Sequence, residues 1–254
     1  MTDTFLNDRS SAVAVLFSAG LDSAVLLAHA IEAAEVAAAA HTAAVPVRPD
    51  PATPRPVQPI YVSAGLAWER EERVAAERLL GAVPFAGRAM PLVTLQLDMR
   101  DVYPATHWAV RGEAPAYDTP DEDVYIEGRN IVLLSKAAVY MARAKIGRIL
   151  LGPLARNPFP DATPEFFSTM ARALGLGLAA PFAIEAPFSS LHKADVIRLG
   201  RSLGVPLGHT LSCMQPRTGL HCGRCSKCRE RVVAFREAGG DDPTMYAGDG
   251  QTRS

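Results

Sequence analysis

Charge imbalance, long apolar runs and scattered cysteines are all missing from this 254-residue sequence. The formal net charge is −1, which argues against a protein that depends on non-specific attraction to nucleic acid. No apolar run approaches the roughly 20 residues needed to cross a bilayer, and the first residues lack the charged and apolar regions of a signal peptide. We therefore expect no membrane partner and a cytoplasmic location. Because 48% of the residues are hydrophobic, the chain can bury the core of one large domain.

Cysteine is scarce, and its four copies, Cys213, Cys222, Cys225 and Cys228, all fall near the C-terminus. Short C-x2-C spacings hold thiolates too close for useful cross-links across a fold, so the cluster indicates a metal site rather than disulfides. Four thiolates at these spacings fit one tetrahedral Zn(II) with no open position, which predicts a structural metal. An iron–sulfur cluster is the alternative, although no Cys-Pro ends the run. Removal of the metal is expected to unfold the C-terminal segment.

One apolar run near the N-terminus ends abruptly in a polar turn. Residues 12–17 predict a buried strand, residues 22–40 predict an amphipathic helix, and SAGLDS joins them. Free backbone N–H groups at such a helix start bind anions, so a phosphate-bearing ligand is the first functional hypothesis. The segment lacks the Gly-Lys-Ser/Thr of a Walker loop and the three spaced glycines of a dinucleotide fingerprint. An ordinary strand-to-helix turn is the alternative.

The rest of the chain alternates short apolar runs with amphipathic segments. This alternation predicts an α/β fold with a doubly wound, mostly parallel five-stranded sheet and a C-terminal helical segment. In the second helix, Val74, Leu79 and Leu80 are expected in the core and the charged residues in solvent. The later strands are predicted at 60–63, 91–97, 148–151 and 184–187, and the later helices at 68–81, 127–147, 163–174 and 190–203.

Two stretches interrupt the alternation. The prolines of residues 45–59 rule out a helix or a central strand, so an exposed connector of polyproline character is predicted, with a Pro-rich partner motif as the alternative. Residues 100–124 show no sustained periodicity, and a loop of this length inside a domain is typical of a functional flap. Its acidic run, 118–123, is expected to be a solvated face rather than a cation site.

Two cationic residues stand at predicted helix starts. The Arg129 guanidinium suits a phosphate or a carboxylate through its bidentate fork, and an ion pair with Glu127 is the alternative. Lys193 opposes the helix dipole and costs stability unless an anion compensates, whereas a surface lysine is the simpler interpretation. Both residues are therefore candidates for binding a negatively charged ligand.

Five separated motifs are similar to those of one enzyme family. SAGLDS resembles a Ser-Gly-Gly-x-Asp-Ser loop, EGRN a Pro-Gly-Arg-Asn helix start, and FPDATPEF a Tyr-Pro-Asp-Cys-Arg-Pro-Glu-Phe segment. SSLHKADVIRLGRSLGVP resembles a lysine-containing helix, and SCMQPRTGLHCGRCSKCRERVVAFREAGGDDPT resembles a zinc region. In these motifs the chain resembles the 7-cyano-7-deazaguanine synthases of queuosine biosynthesis, a branch of the pyrophosphate-loop ATP enzymes. The resemblance implies an adenine nucleotide alpha-hydrolase-like ATP-binding domain over 1–205 and a four-cysteine zinc-binding segment with a helix and tail over 206–254.

The resemblance also implies an activity. Members of that family use ATP to adenylate the carboxylate of 7-carboxy-7-deazaguanine, let ammonia displace AMP to give an amide, and then activate and dehydrate the amide to a nitrile. ATP, Mg²⁺ and Zn²⁺ are the implied cofactors, the deazapurine acid and ammonia are the implied partners, and a homodimer is the implied assembly. The pyrophosphate would lie against the loop residues Ser18, Ala19, Gly20, Leu21, Asp22 and Ser23.

Four residues take more specific roles from the resemblance. Asp22 would help to place Mg²⁺. Arg129 and Lys193 would neutralise oxygens of the departing group or of the acyl adenylate. Asp161 would bind the donor edge of the deazapurine.

Departures from the family pattern motivate two alternatives. Ala19 replaces the first loop glycine, so either its φ is negative or the loop is altered. YVSAGLAWERE replaces the family's Asp-Tyr-Gly-Gln-Arg-His, and PLARNP and Ala162 alter the segment around Phe159. Such changes near the expected acceptor pocket suit an enzyme that hands this or another adenylated acid to a different amine, such as one on a macromolecule. A non-catalytic RNA-binding zinc protein is the other alternative, which the basic helix at 224–236 favours.

Overall fold

The computed structural model describes residues 12–44 and 57–247, and its regular elements follow the predicted alternation. Most element ends differ from the predicted ends by a few residues. The strands are β1 Val13–Leu16, β2 Val57–Ser63, β3 Val93–Gln96, β4 Arg148–Leu150 and β5 Ala183–Glu185. The main helices are α1 Leu21–Ala44, α2 Glu69–Leu80, α3 Arg129–Ala144, α4 Pro164–Leu178, α5 Lys193–Ser202 and α6 Ser226–Glu237.

The five strands form one sheet in the order β3-β2-β1-β4-β5, and all four pairings are parallel. The predicted five-stranded, doubly wound α/β fold is confirmed. The strand order reverses between β1 and β4, and the carboxyl ends of these strands frame the crevice where open α/β sheets bind ligands. The loop that follows β1 therefore lies at the position expected of a ligand site.

Both faces of the sheet are covered, because successive residues of a strand point to opposite sides. In β1, Val13 and Val15 belong to one buried cluster, which includes α1, α5 and the cysteine segment. Ala14 belongs to a second cluster on the other face, together with α3 and Phe167 of α4. The C-terminal segment thus shares a core with the sheet.

The prediction that the prolines of residues 45–59 exclude a central strand is wrong at Pro59. This residue lies inside β2 and pairs with Val15 of β1. The pairing of β2 with β3 begins only at Ile60, so Pro59 precedes that ladder and its missing N–H removes no bond from it. The side chain of Gln58 joins β2 to the residues before β3 at this point, because its Nε2 donates to the carbonyl oxygens of Pro59 and Pro91 at 3.0 and 2.7 Å. The rest of the Pro-rich connector predicted for residues 45–59, residues 45–56, lies outside the described residues.

The stretch predicted as a flap, 100–124, contains one helical turn at Trp108–Arg111 and one 3₁₀ turn at Asp121–Val124. Side-chain contacts tie it to the C-terminal segment: Gln215 Nε2 donates to Gly112 O at 2.8 Å, Arg229 Nη2 donates to Thr119 O at 3.1 Å, and Lys227 Nζ lies 3.6 Å from Asp121 Oδ1. Within the described ranges, no helix has the length and apolarity that a membrane span requires.

Candidate active site

A cleft of about 280 Å³ opens at the carboxyl edge of the sheet, beside the loop after β1. Six predicted site residues from separate parts of the chain line it: Ser18, Gly20, Asp22, Ser23, Arg129 and Asp161. The other two loop residues, Ala19 and Leu21, are buried directly beside them. The structure therefore brings the polar loop, the EGRN helix start and the FPDATPEF segment together at one place.

The polar loop is held by its own serines. Ser23 Oγ donates to Gly20 O at 3.0 Å and lies 3.4 Å from Ser18 Oγ. The backbone N–H of Ser18 donates to Ser23 Oγ at 3.3 Å. A Cβ at Gly20 would lie 3.3 Å from Ser18 Oγ, so the loop is tight at this point. The arrangement presents the N-terminus of α1 to the cleft, which is a geometry that binds phosphate groups.

Ala19 adopts the left-handed backbone conformation, with φ of 60°. A negative φ, one of the two options that the sequence left, is therefore wrong. For a residue with a Cβ this conformation costs on the order of 1–2 kcal/mol, so the loop carries strain that glycine would relieve. The N–H of Leu211 donates to Ala19 O at 2.9 Å, which ties the strained residue to the C-terminal segment.

Lys193 joins the loop to α6 through two ion pairs. Its Nζ lies 2.9 Å from Asp22 Oδ2 and 2.8 Å from Glu230 Oε1. The lysine side chain is only 18% exposed, so the interpretation of Lys193 as a free surface residue is wrong. Burial lowers the pKa of Lys193, but the two carboxylates outweigh it and hold the pKa above its usual value. The ammonium group therefore stays charged beside the loop.

Asp22 keeps one oxygen free for a ligand. Its Oδ2 is bound by Lys193, whereas its Oδ1 is buried and has no hydrogen-bond partner in the described part of the chain. A buried carboxylate oxygen without a partner is costly, and a bound cation would satisfy it. The residue therefore fits the role of a cation ligand at the mouth of the loop.

Arg129 and Asp161 both line the cleft at the start of α3. Gly128, with φ of 69°, turns the chain into the helix, and Asp161 Oδ2 then accepts a hydrogen bond from Asn130 N at 2.9 Å. Burial raises the pKa of Asp161, and the Asn130 N–H and Arg129 oppose this rise. Arg129 Nε is buried and has no hydrogen-bond partner among the described residues. The guanidinium therefore has a donor to offer a bound anion.

The alternative that placed Arg129 in a surface ion pair with Glu127 finds no support, since no ion pair between them occurs among the described residues. Glu127 instead uses its backbone, where its carbonyl oxygen accepts a hydrogen bond from Tyr103 Oη at 2.7 Å. Arg129 thus remains available to the cleft.

Sequence reasoning missed two acidic residues on α2. Val74, predicted for the core, is 49% exposed, whereas Glu69 and Glu72, predicted to be solvated, are 7% and 8% exposed. Glu69 accepts hydrogen bonds from Ser63 Oγ at 2.5 Å and from Ala64 N at 2.6 Å, and so fixes the turn after β2. The spacing of the buried residues Glu69, Glu72, Ala75, Ala76 and Leu79 was the signal available, because these positions share one helical face.

Glu72 lines the cleft from the side of α2. Its Oε2 accepts a hydrogen bond from Tyr61 Oη at 2.8 Å, and both residues border the cavity. Burial raises the pKa of Glu72 to about 7, against the opposing effects of Arg129 and the Tyr61 hydroxyl. A carboxyl group that titrates near neutrality in a cleft is a candidate for proton transfer.

The four cysteines form a second centre, behind the loop. Their Sγ atoms lie within 4.8 Å of one another, and all four residues are buried. The shortest separations are 3.5 Å for Cys225 and Cys228, 3.9 Å for Cys222 and Cys228, and 4.0 Å for Cys213 and Cys225. Four sulfurs at about 2.3 Å from a tetrahedral zinc ion would lie roughly 3.8 Å apart. The cluster can therefore hold a metal, and the iron–sulfur alternative shares the same ligands.

Backbone N–H groups surround the sulfurs. Gln215 N and Cys222 N both donate to Cys213 Sγ at 3.3 Å, and Arg224 N donates to Cys222 Sγ at 3.5 Å. Such donors stabilise the negative charge of thiolate ligands and fix their directions. The segment is thus arranged to hold its cysteines in the metal-binding form.

Comparison with known proteins identifies a family for the larger part of the chain. Residues 105–239 match the family described as queuosine biosynthesis protein QueC. The 7-cyano-7-deazaguanine synthase of Methanopyrus kandleri (strain AV19) is 30% identical over 239 residues, which cover 91% of this chain and 97% of that protein. The 7-cyano-7-deazaguanine synthase of Anaeromyxobacter dehalogenans (strain 2CP-C) is 39% identical over 130 residues, 48% of this chain and 56% of that protein. Two further relatives are likewise matched over 60% and 53% of their length, so the chain spans little more than half of several curated relatives.

Among solved structures, the predicted subunit of a tRNA methyltransferase from Methanocaldococcus jannaschii covers 95% of this chain, with 94% of that protein covered in turn. The TM-score is 0.40 and the sequence identity is 13%. This likeness is too distant to bear on function.

Proposed function

The chain belongs to the QueC family of queuosine biosynthesis proteins, and on this premise we propose that it uses ATP to adenylate a carboxylate. The acid is 7-carboxy-7-deazaguanine, ammonia displaces AMP to give the amide, and a second activation and dehydration gives 7-cyano-7-deazaguanine. The observation that carries the proposal is the meeting of an anion-binding helix start, a buried carboxylate oxygen and a free guanidinium donor in one cleft.

The loop after β1 takes the pyrophosphate part of ATP. A carboxylate is a poor electrophile because its leaving group would be oxide, whereas the acyl adenylate has AMP as a stable leaving group. Catalysis then depends on neutralising charge and aligning the reactants more than on a protein nucleophile. The backbone amides of residues 19–23, with Ser18 and Ser23, hold the phosphates, and Lys193 and Arg129 neutralise their oxygens.

The residues present fit Mg²⁺ and Zn²⁺ at separate places. Asp22 Oδ1 is the oxygen that would hold Mg²⁺ against the phosphates, where the ion supplies positive charge for the departing pyrophosphate. Cys213, Cys222, Cys225 and Cys228 would hold Zn²⁺, whose role is structural because four thiolates leave no open position. Asp161 binds the donor edge of the deazapurine from the α3 side of the cleft.

The RNA-binding alternative is disfavoured by the cations of α6. Arg231 is buried against Asp242, and Lys227 lies 2.8 Å from Glu230. Arg229 donates to the carbonyl oxygen of Thr119. These three cations of the basic helix are thus used within the protein rather than offered to a phosphate backbone.

We extend the proposal to the assembly. Residues 206–254 form the metal-dependent segment, residues 1–205 form the ATP-binding part, and the protein acts as a cytoplasmic homodimer. Sedimentation of the zinc-loaded protein tests the dimer, since a monomeric mass at working concentration would contradict it.

The experiment incubates the purified protein with ATP, Mg²⁺, ammonium and 7-carboxy-7-deazaguanine and follows pyrophosphate, AMP and nitrile by mass spectrometry. Nitrile is the expected product, and Ser23→Ala is expected to abolish AMP formation while Ser168→Ala, an exposed serine on α4, leaves it unchanged. AMP without amide or nitrile would indicate a different amine acceptor. If neither AMP nor pyrophosphate formed from ATP in the presence of the acid, the proposal would be refuted.

A further inference from the structure

Glu72 is a buried carboxyl group of the cleft that the proposed function leaves without a role. It projects from α2, is 8% exposed, and is oriented by the hydroxyl of Tyr61 at 2.8 Å. Glu72, Arg129 and Asp161 all line this cavity, and the positive charge of Arg129 opposes the rise in the pKa of both carboxyl groups. An acyl adenylate bound in this cavity would therefore lie beside Glu72.

The charged and titratable groups that face Glu72 come from three elements: Tyr61 from β2, Glu69 from its own helix, and Arg129 from α3. Burial and Glu69 raise the pKa of Glu72, whereas Arg129 and the hydrogen bonds of Tyr61 and Trp68 lower it, and the balance is about 7. Near neutral pH the carboxylate and the carboxylic acid are thus both populated. A group of this kind accepts and releases protons at the least cost.

The proposed reaction requires such a group, because ammonia is protonated near neutral pH and ammonium has no lone pair. We propose that Glu72 is the proton acceptor that converts ammonium to ammonia beside the acyl adenylate, an inference that rests on the proposed function. The proton passes to the Glu72 carboxylate, and the nitrogen lone pair forms the C–N bond to the acyl carbon. The bond from that carbon to the AMP oxygen breaks, AMP leaves with the electron pair, and the second proton goes to water.

A purely binding role for Glu72 fits less well. Each of the two carboxyl groups has one oxygen already bound, Glu72 Oε2 by Tyr61 Oη and Asp161 Oδ2 by Asn130 N, and burial raises the pKa of both. The pKa of Glu72 reaches about 7, whereas a carboxylate that binds a donor edge must stay ionised. The proposed function already assigns that edge to Asp161.

The test separates nucleophile activation from adenylation. Glu72→Gln keeps the size of the side chain and an oxygen that accepts from Tyr61, but it cannot take a proton. We expect about a 100-fold loss of ammonia-dependent amide formation near pH 7. Acid-dependent ATP–pyrophosphate exchange should persist, and so should hydroxamate formation with hydroxylamine, which is largely uncharged at this pH. Glu77→Gln, an exposed glutamate on the same helix, is the matched control and should behave as the wild type.

A second variant tests the same role through pH. Tyr61→Phe removes a hydrogen bond that lowers the pKa of Glu72, so the rising limb of amide formation should move to higher pH while pyrophosphate exchange keeps its profile. Unchanged amide formation in Glu72→Gln, or an equal loss of exchange, hydroxamate and amide, would overturn the inference. A wild type without acid-dependent exchange would overturn the proposed function and this inference with it.

Discussion

Asp242 neutralises a guanidinium that has almost no contact with solvent, so its replacement by asparagine tests how the C-terminal segment is held. The side chains of Arg231 and Asp242 are 1% and 6% exposed. Arg231 Nε donates to both carboxylate oxygens of Asp242, at 3.2 and 3.0 Å. Its other nitrogens donate to Thr210 Oγ1 at 2.8 Å and to Leu207 O at 2.7 Å. One side chain of α6 thus ties together the residues that precede and follow the cysteines.

The expected cost of Asp242→Asn follows from the burial of the cation. Removing one member of a buried ion pair leaves the other charge without compensation, which costs about 3–5 kcal/mol. Tyr246 Oη also donates to Asp242 Oδ2 at 2.5 Å, a bond that the asparagine oxygen can still accept. At about 2–4 °C per kcal/mol for a chain of this size, the melting temperature should fall by roughly 10 °C.

Thermal and urea unfolding at matched metal content measure this cost. Asp98→Asn is the control, because Asp98 pairs with Arg100 on the surface, where both side chains are more than half exposed, and its effect should be several-fold smaller. The double variant Arg231→Met/Asp242→Leu removes both charges and should recover part of the loss. Equal melting temperatures for Asp242→Asn and Asp98→Asn would refute the argument from burial.

Three further predictions concern titration and the metal. The pKa of Glu72 is about 7 in the folded protein and 4.5 in the reference state, so folding binds a proton between these pH values and the free energy of unfolding falls as pH rises through them. Glu72→Gln removes this loss. Its effect on the free energy of unfolding should therefore be more favourable above pH 7 than below pH 4.5 by up to about 3 kcal/mol, measured by urea titration. Burial would raise the pKa of Glu230, but Lys193 and Lys227 hold it at about 2. The ionised carboxylate therefore contributes to stability above pH 4.5, and this contribution is lost as pH falls towards 2. Glu230→Gln should make acid unfolding less steep in that pH range, as followed by circular dichroism. Chelation should remove hydrogen-exchange protection from α6 before β1, and simultaneous loss in both would contradict a locally structural metal.

The five strands, their parallel direction and the clustering of the four cysteines could be predicted because each depends on local pattern. Short β-branched runs separated by amphipathic helices specify a parallel sheet, and the cysteine spacing places four thiolates together. Pro59 shows the limit of that reasoning. A proline excludes a ladder hydrogen bond only where a partner strand is present, and β3 begins to pair one residue later. The extent of a neighbouring strand cannot be inferred from the residue itself.

The burial of Glu72 was missed because the charged composition of its segment outweighed the helical spacing, and because the groups that bind it come from elsewhere in the fold. The segment EREER has the composition of a solvated helix, and propensity and charge both place it outside. Its glutamates turn inwards because the Tyr61 hydroxyl and the N–H groups of the turn after β2 need acceptors there. The expectation that glutamates of a charged helix lie in solvent therefore fails at Glu72, which lines the cleft.

Contacts with the cysteine segment account for the strained backbone at Ala19. An alanine persists in the left-handed region only when its surroundings determine its conformation by other means. Leu211, two residues before Cys213, donates its N–H to Ala19 O. Glu230 on α6 forms an ion pair with Lys193, which in turn forms an ion pair with Asp22. The cysteine segment thus grips the loop at its strained residue and at its acidic residue. A metal that orders this segment would also fix the loop geometry, so under the proposed function a structural centre outside the cleft would contribute to phosphate binding without touching the substrate.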